Sequence, residues 1–175
     1  MRNTAFIMVG LALLIAQSNL YRVIGWIPIA GVTPSLLLPI VLFMGVHEYS
    51  ILRGAALAFV FGFLLDEFIG APLGLFTFIT VGTFVVSRAA GVRLAAQTLL
   101  TKIGLAFGFA LLEGVLVVVL TVIFAADPHR SRALASLVLP HAISTAIFAP
   151  FVFRLAERVH QATINVAWPG EGSAR

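Results

Sequence analysis

Few residues in this 175-residue sequence could do chemistry, since it has seven acidic residues, four histidines and no cysteine. Asp66 and Glu67 are adjacent, so on a helix their side chains point about 100° apart and cannot serve one substrate as an acid–base pair. His47 and Glu48 lack the second histidine that a helical zinc motif requires. No nucleophile elbow and no phosphate-cradling glycine loop is present. The sequence therefore predicts a protein that is not an enzyme and has no metal site or cofactor.

Two further titratable residues interrupt long apolar runs. Glu113 lies near the middle of one run, where a charge in a bilayer costs about 2.5–3.5 kcal/mol on insertion scales. His141 lies roughly 3 Å outward of the middle of the following run. These depths predict that Glu113 and His141 form an intramembrane polar pair across an antiparallel helical hairpin. The alternative is that each is satisfied separately, by hydroxyl groups, by the backbone or by protonation.

The composition indicates an all-α integral membrane protein. Hydrophobic residues make up 61% of the chain and charged residues 10%, and the mean hydropathy is +1.09. An average soluble domain is roughly 45–50% apolar and 25% charged. A net charge of +4 would suggest nucleic acid in a soluble protein, but here the basic residues separate apolar runs. We therefore expect contact with membrane lipid and no nucleic-acid partner.

The apolar runs predict a compact bundle of about six transmembrane helices. The expected helices are roughly 4–20, 34–46, 54–69, 73–87, 101–126 and 133–153, the first being retained as an uncleaved span. Pro39 is expected to bend the second helix, and Asp127–Arg132 to form a polar turn. Residues 1–158 form the predicted bundle, with an amphipathic helical extension from Arg154, and residues 159–175 form a short polar cytoplasmic tail.

The basic residues predict the orientation of this bundle. Six spans place both termini on one side, which carries eight of the eleven basic residues, whereas the opposite side carries three: Arg22, Arg130 and Arg132. Basic residues are retained on the cytoplasmic side of inner membranes. We therefore expect cytoplasmic termini, with the break at Gly70–Gly74 facing outward.

One line of small residues stands out in the third predicted helix. Gly54, Ala58, Gly62 and Asp66 recur every fourth residue, and Gly70, Pro72 and Gly74 follow in a tight break. Positions four apart share one helix face, so this line predicts a helix-packing or partner-binding face. Asp66 either caps the following turn or holds the outer ends of the third and fourth helices together; the alternative is a solvated helix end.

Similar spacings occur in the fifth predicted helix. Gly104 is followed by Gly108, and Ala106 by Ala110 and Gly114. Small residues four apart let membrane helices approach closely. Both sets therefore predict helix packing.

The second to fourth predicted helices resemble the rod shape-determining protein MreD family. The resemblance rests on the proline-led PSLLLP from Pro34 to Pro39, on Arg53-Gly54, and on GFLLDEFIGAPLGLFTF from Gly62 to Phe78. In that family a glycine-rich third helix ends in an acid and is followed by a Gly-x-Pro-Leu-Gly turn. The specific residues cover about Pro34 to Phe78 and assign no role to Glu113 or His141.

The resemblance implies a fold similar to that of the substrate-binding subunits of energy-coupling-factor transporters. It also implies a non-enzymatic scaffold in the bacterial cell-wall elongation (rod shape) machinery of the inner membrane. The implied partners are MreC and, through it, MreB, RodA and a class B penicillin-binding transpeptidase. The partner surface is expected on the small-residue face of the third helix or at the cytoplasmic helix ends. The alternative function is a small-ligand-binding membrane subunit of a transporter.

Overall fold

Helices are the only regular elements in the part of the chain that the structure describes. The computed structural model describes residues 2–24, 32–47, 50–70, 72–90, 98–124 and 128–165. The helices are α1 Arg2–Ile24, α2 Leu37–His47, α3 Ile51–Ile69, α4 Leu75–Ala89, α5 Leu99–Phe124 and α6 Pro128–Asn165. The predicted all-α class with six helices is confirmed for these residues.

The short helix α2 lies at the centre of the bundle. Every residue from Leu37 to Val46 is buried, and α2 contacts each of the other five helices. A helix that is apolar on every face is typically buried among other elements. The prediction that Pro39 bends the second helix is wrong. Helix α2 begins at Leu37, so Pro39 lies in its first turn. N–H groups in the first turn have no acceptor within the helix, so the N–H that proline lacks breaks no helical hydrogen bond there.

The two longest helices pack on each other through alanines. Ala106 and Ala110 of α5 and Ala142 and Ala149 of α6 are fully buried in one cluster. A Cβ placed on Gly114 would meet the side chain of Val138. Small side chains let helix backbones approach closely, so the packing role predicted for Ala106, Ala110 and Gly114 is confirmed.

Helix α6 begins earlier than the sequence predicted. It runs over 38 residues from Pro128 to Asn165 and includes Pro140 and Pro150. The expected polar turn is therefore wrong from Pro128 onward, because proline is favoured at the first position of a helix, where its missing N–H costs nothing. Asp127 lies outside the described residues. The helical extension after Arg154 is confirmed, and Lys102 of α5 forms an ion pair with Glu157 there.

Among the described residues, two helices are long and apolar enough to cross a membrane. They are Leu99–Phe124 and Ala133–Thr163, the second being part of α6. Three shorter apolar helices are Thr4–Leu20, Leu37–His47 and Leu75–Ala89.

Candidate functional site

The small-residue line of α3 packs against α4. The four residues Gly54, Ala58, Gly62 and Asp66 are all buried. A Cβ placed on Gly54 would meet the ring of Phe84, and one placed on Gly62 would meet the backbone of Thr77. This face is therefore a packing surface inside the chain, and a partner helix would have to displace α4 to reach it.

Asp66 caps α4 from the neighbouring helix. Its Oδ1 accepts a hydrogen bond from the Phe76 N–H at 2.8 Å, and its Oδ2 accepts from the Gly74 N–H at 2.9 Å. Oδ2 also accepts from the Thr77 N–H at 3.2 Å and the Thr77 hydroxyl at 2.7 Å. Gly74 occupies the N-cap position of α4 and has no side chain to fill that role. With only 1% of its surface exposed, Asp66 is not a solvated helix end.

Two glycines shape the turn that brings Asp66 to this position. Gly70 ends α3 with φ 66° and donates its N–H to the Asp66 carbonyl, and Gly74 has φ 96°. Both angles lie in the left-handed region that glycine adopts without a steric penalty. The Pro72 carbonyl accepts a hydrogen bond from the Leu75 N–H, which closes the turn around Gly74. Gly70, Pro72 and Gly74 are exposed and serve the turn geometry.

A buried segment without helical structure leads into α2. Residues 33–35 form no regular element, and Pro34 and Ser35 are buried. The Ser35 N–H donates to the Thr145 hydroxyl at 2.9 Å, and the Leu36 N–H donates to the Gln17 side-chain oxygen at 2.9 Å. Buried backbone groups outside a helix need such partners. Sequence reasoning missed the roles of Gln17 and Thr145, and it expected the second helix to start at Pro34, whereas α2 begins at Leu37.

Thr145 therefore provides a test of this segment. Replacing Thr145 with valine keeps the side-chain volume but leaves the buried Ser35 N–H without its acceptor, so we expect a loss of about 1–2 kcal/mol in the free energy of unfolding. The measurement is unfolding of the purified protein in mixed detergent micelles. Thr163→Val is the matched control, because the Thr163 hydroxyl bonds only carbonyls of its own helix. Equal stability of the two variants would contradict the assignment.

Glu113 and His141 both line one cavity, but their hydrogen bonding differs. His141 Nδ1 lies 2.7 Å from the Thr33 carbonyl oxygen, and because a carbonyl only accepts, Nδ1 carries the proton. Glu113 is 7% exposed, and its Oε2 has no hydrogen-bond partner among the described residues. Within the described residues no hydrogen bond or ion pair joins the two side chains. His141 is thus satisfied by the backbone, as the alternative had it, and direct contact with Glu113 stays a prediction.

The cavity has a volume of about 230 Å³. Its walls come from α1, α3, α4, α5, α6 and the segment before α2, and they include Gln17, Thr33, Glu113 and His141. A second, much smaller cavity of about 10 Å³ lies between Glu113 and Thr83, whose hydroxyl also has no partner. Of the acids that the structure describes, Glu113 alone borders both spaces.

The remaining candidate residues that the structure describes are not gathered into a reactive site, and Glu48 lies outside the described residues. Glu67 is exposed, and the ring of His47 stacks on Phe43 at a centroid distance of 4.0 Å. The described residues contain no group of three or more histidine, cysteine or acidic side chains that could hold a metal.

The comparisons of this chain with protein-family models, curated proteins and solved structures find no match. The similarity to MreD therefore stays an expectation from the residue pattern that runs from Pro34 to Phe78.

Proposed function

We propose that this protein is a non-enzymatic membrane scaffold of the bacterial cell-wall elongation machinery, similar to MreD. It binds the membrane helix of MreC and, through MreC, helps to position MreB, RodA and a class B penicillin-binding transpeptidase. The residue pattern from Pro34 to Phe78 supports the proposal, since its most specific parts fall on two defined features. These are the buried segment before α2 and the junction at which Asp66 caps α4.

In this proposal six helices cross the inner membrane and both termini are cytoplasmic. The fold is similar to that of the substrate-binding subunits of energy-coupling-factor transporters. Helix α2 has 11 residues, or about 16 Å, which is short of a hydrocarbon core of about 30 Å. The segment 32–36 before it adds up to roughly 16 Å at about 3.3 Å per residue. Such a segment is tolerated at membrane depth where protein covers it, and Gln17 and Thr145 satisfy its backbone.

The observation that carries the proposal is the outward face of α5. Five residues of one stripe are exposed: Gly104, Gly108, Leu112, Val115 and Val119. A Cβ placed on either glycine would meet no described atom within 4 Å. The packing predicted for these two glycines is therefore not made by another described helix of this chain. A Gly-x-x-x-Gly face open to the bilayer suits close approach by a partner helix, and we assign it to the MreC helix.

A substitution at Gly108 tests this assignment. Gly108→Leu puts a large side chain where the partner backbone would lie, so co-purification of MreC from membranes is expected to fall at least tenfold. The fold itself should not suffer, because the added side chain meets open space and leucine favours helix over glycine by up to about 1 kcal/mol. The readouts are MreC capture and thermal unfolding of the same preparation.

The matched control is Gly82→Leu. Gly82 is also a helical glycine whose Cβ would meet no described atom, but it lies on α4. It is expected to leave MreC capture at the level of the unchanged protein. Equal capture by all three proteins would remove the α5 face from the proposal, and failure of the unchanged protein to capture MreC would contradict the scaffold function.

A small-ligand-binding transporter subunit is the second candidate. The cavity beside Glu113 favours it, since ligand sites are concave and largely apolar with a few polar groups. Purification would separate the two functions. A retained small molecule together with an ATPase partner supports the transporter subunit, and MreC supports the scaffold.

A further inference from the structure

The cavity beside Glu113 has a chemistry that neither helix packing nor MreC binding uses. We propose that it is a binding site for a small amphiphilic ammonium compound, with Glu113 receiving the ammonium group. The site is separate from the α5 partner face, because Glu113 is buried whereas Gly104 and Gly108 are exposed. The proposal therefore stands or fails independently of MreC.

The polar groups of this cavity favour a cationic ligand. Glu113 has 93% of its surface buried, lines the cavity and leaves Oε2 without a partner. His141 uses Nδ1–H on the Thr33 carbonyl, so the Nε2 of a neutral ring is a further acceptor. Among the lining residues that the structure describes, none is a lysine or an arginine. An ammonium group brings three donors and the positive charge that a buried carboxylate lacks.

The other walls favour an apolar body on the ligand. They include Leu65, Ile69, Val117, Leu137 and Val138, contributed by three helices. An apolar cavity of about 150 Å³ is large enough to hold benzene. At about 230 Å³, this cavity has room for an aromatic ring together with a short alkylammonium arm.

Two neighbouring cavities share lining residues with this site. One of about 560 Å³ shares Ile69, Phe76, Val117 and Leu134 with it and extends along the Gly70–Gly74 turn. Another of about 460 Å³ shares Gln17, Thr33, Leu65 and Ile69 and lies between α1 and α3. The site is therefore bordered by further cavity space along the turn and between these helices.

The experiment is fluorine NMR of the full chain in dodecyl maltoside with para-fluorophenethylammonium as the probe. Its anionic counterpart, para-fluorophenylpropionate, is measured in parallel. The ammonium probe is expected to show saturable line broadening that unlabelled phenethylammonium competes away, and the anion is expected to show none. Glu113→Gln should weaken binding of the ammonium probe at least tenfold. Glu67→Gln, which neutralises an exposed acid outside the cavity, should leave binding unchanged.

A second variant allows the proposal to be tested even if Glu113→Gln does not fold. Val118→Phe fills the cavity from the α5 wall, retains Glu113 and is expected to abolish binding. Circular dichroism checks the helix content of each variant. The proposal is overturned if the unchanged protein shows no saturable binding, if the anion binds equally well, or if folded Glu113→Gln or Val118→Phe binds like the unchanged protein. MreC capture by Glu113→Gln should be normal, and Gly108→Leu should still bind the probe.

Discussion

Replacing Asp66 with alanine is expected to lower the free energy of unfolding by about 2–5 kcal/mol, the largest single loss we expect in this chain. Three backbone N–H groups, of Gly74, Phe76 and Thr77, lose their acceptor at once. Loss of a helix cap alone costs about 0.5–2 kcal/mol, and leaving the buried Thr77 N–H unpaired costs about 1–3 kcal/mol more. The carboxylate also faces the positive end of the α4 dipole, which adds to the loss.

Unfolding of purified protein in mixed detergent micelles measures this effect. Glu67→Ala is the matched control, because Glu67 is the adjacent acid on the same helix turn but is exposed; its stability should change by less than about 0.5 kcal/mol. Asp66→Asn keeps one acceptor oxygen and should fall between the two. If Asp66→Ala were as stable as Glu67→Ala, the cap would not hold α3 and α4 together.

Replacing Gly62 with leucine is the second large perturbation, with an expected loss of about 3 kcal/mol, at the top of the usual range for overpacking. The new Cβ would lie against the Thr77 Cα, 2.8 Å from the Phe76 carbonyl oxygen and 2.9 Å from the Thr77 nitrogen. All three neighbours are backbone atoms, which cannot rotate out of the way. The helices α3 and α4 must therefore separate, and the same detergent unfolding assay measures the loss.

Gly82→Leu is the control for this substitution, since its Cβ meets open space on α4; it should be neutral or slightly stabilising. The double variant of Gly62→Leu with Asp66→Ala should lose less stability than the sum of the single losses. Both changes disrupt the same contact with Thr77, and neighbouring sites that share a partner are not additive. Full additivity, or a neutral Gly62→Leu, would show that α3 and α4 do not pack as described.

The sequence was sufficient to predict the packing of α3, because its signal is local. Gly54, Ala58 and Gly62 are small residues at helical spacing, and the structure places them on one buried face. The capping role of Asp66 was one of two alternatives. Choosing between them required the turn geometry, because the donors are backbone N–H groups of α4 that carry no residue-type signal.

The sequence alone could not predict which part of the chain packs against a given helix face. Gly104 and Gly108 have the same spacing as Ala106 and Ala110, yet the glycines are exposed and the alanines are buried in a cluster with residues of α1, α2 and α6. The spacing of a pair predicts a shared face but not what covers that face. His141 illustrates the same limit, since its partner is the carbonyl of Thr33, 108 residues earlier, which no depth argument identifies.

The central claim, that the α5 face binds the MreC membrane helix, is tested most directly by disulfide cross-linking in membranes. The sequence contains no cysteine, so single cysteines can be introduced without other changes. Gly108→Cys is expected to form a disulfide with cysteines scanned along the MreC helix, at positions that repeat with helical spacing, whereas Gly82→Cys is not. Cross-linking from Gly82→Cys alone, or from neither position across the whole scan, would contradict the account.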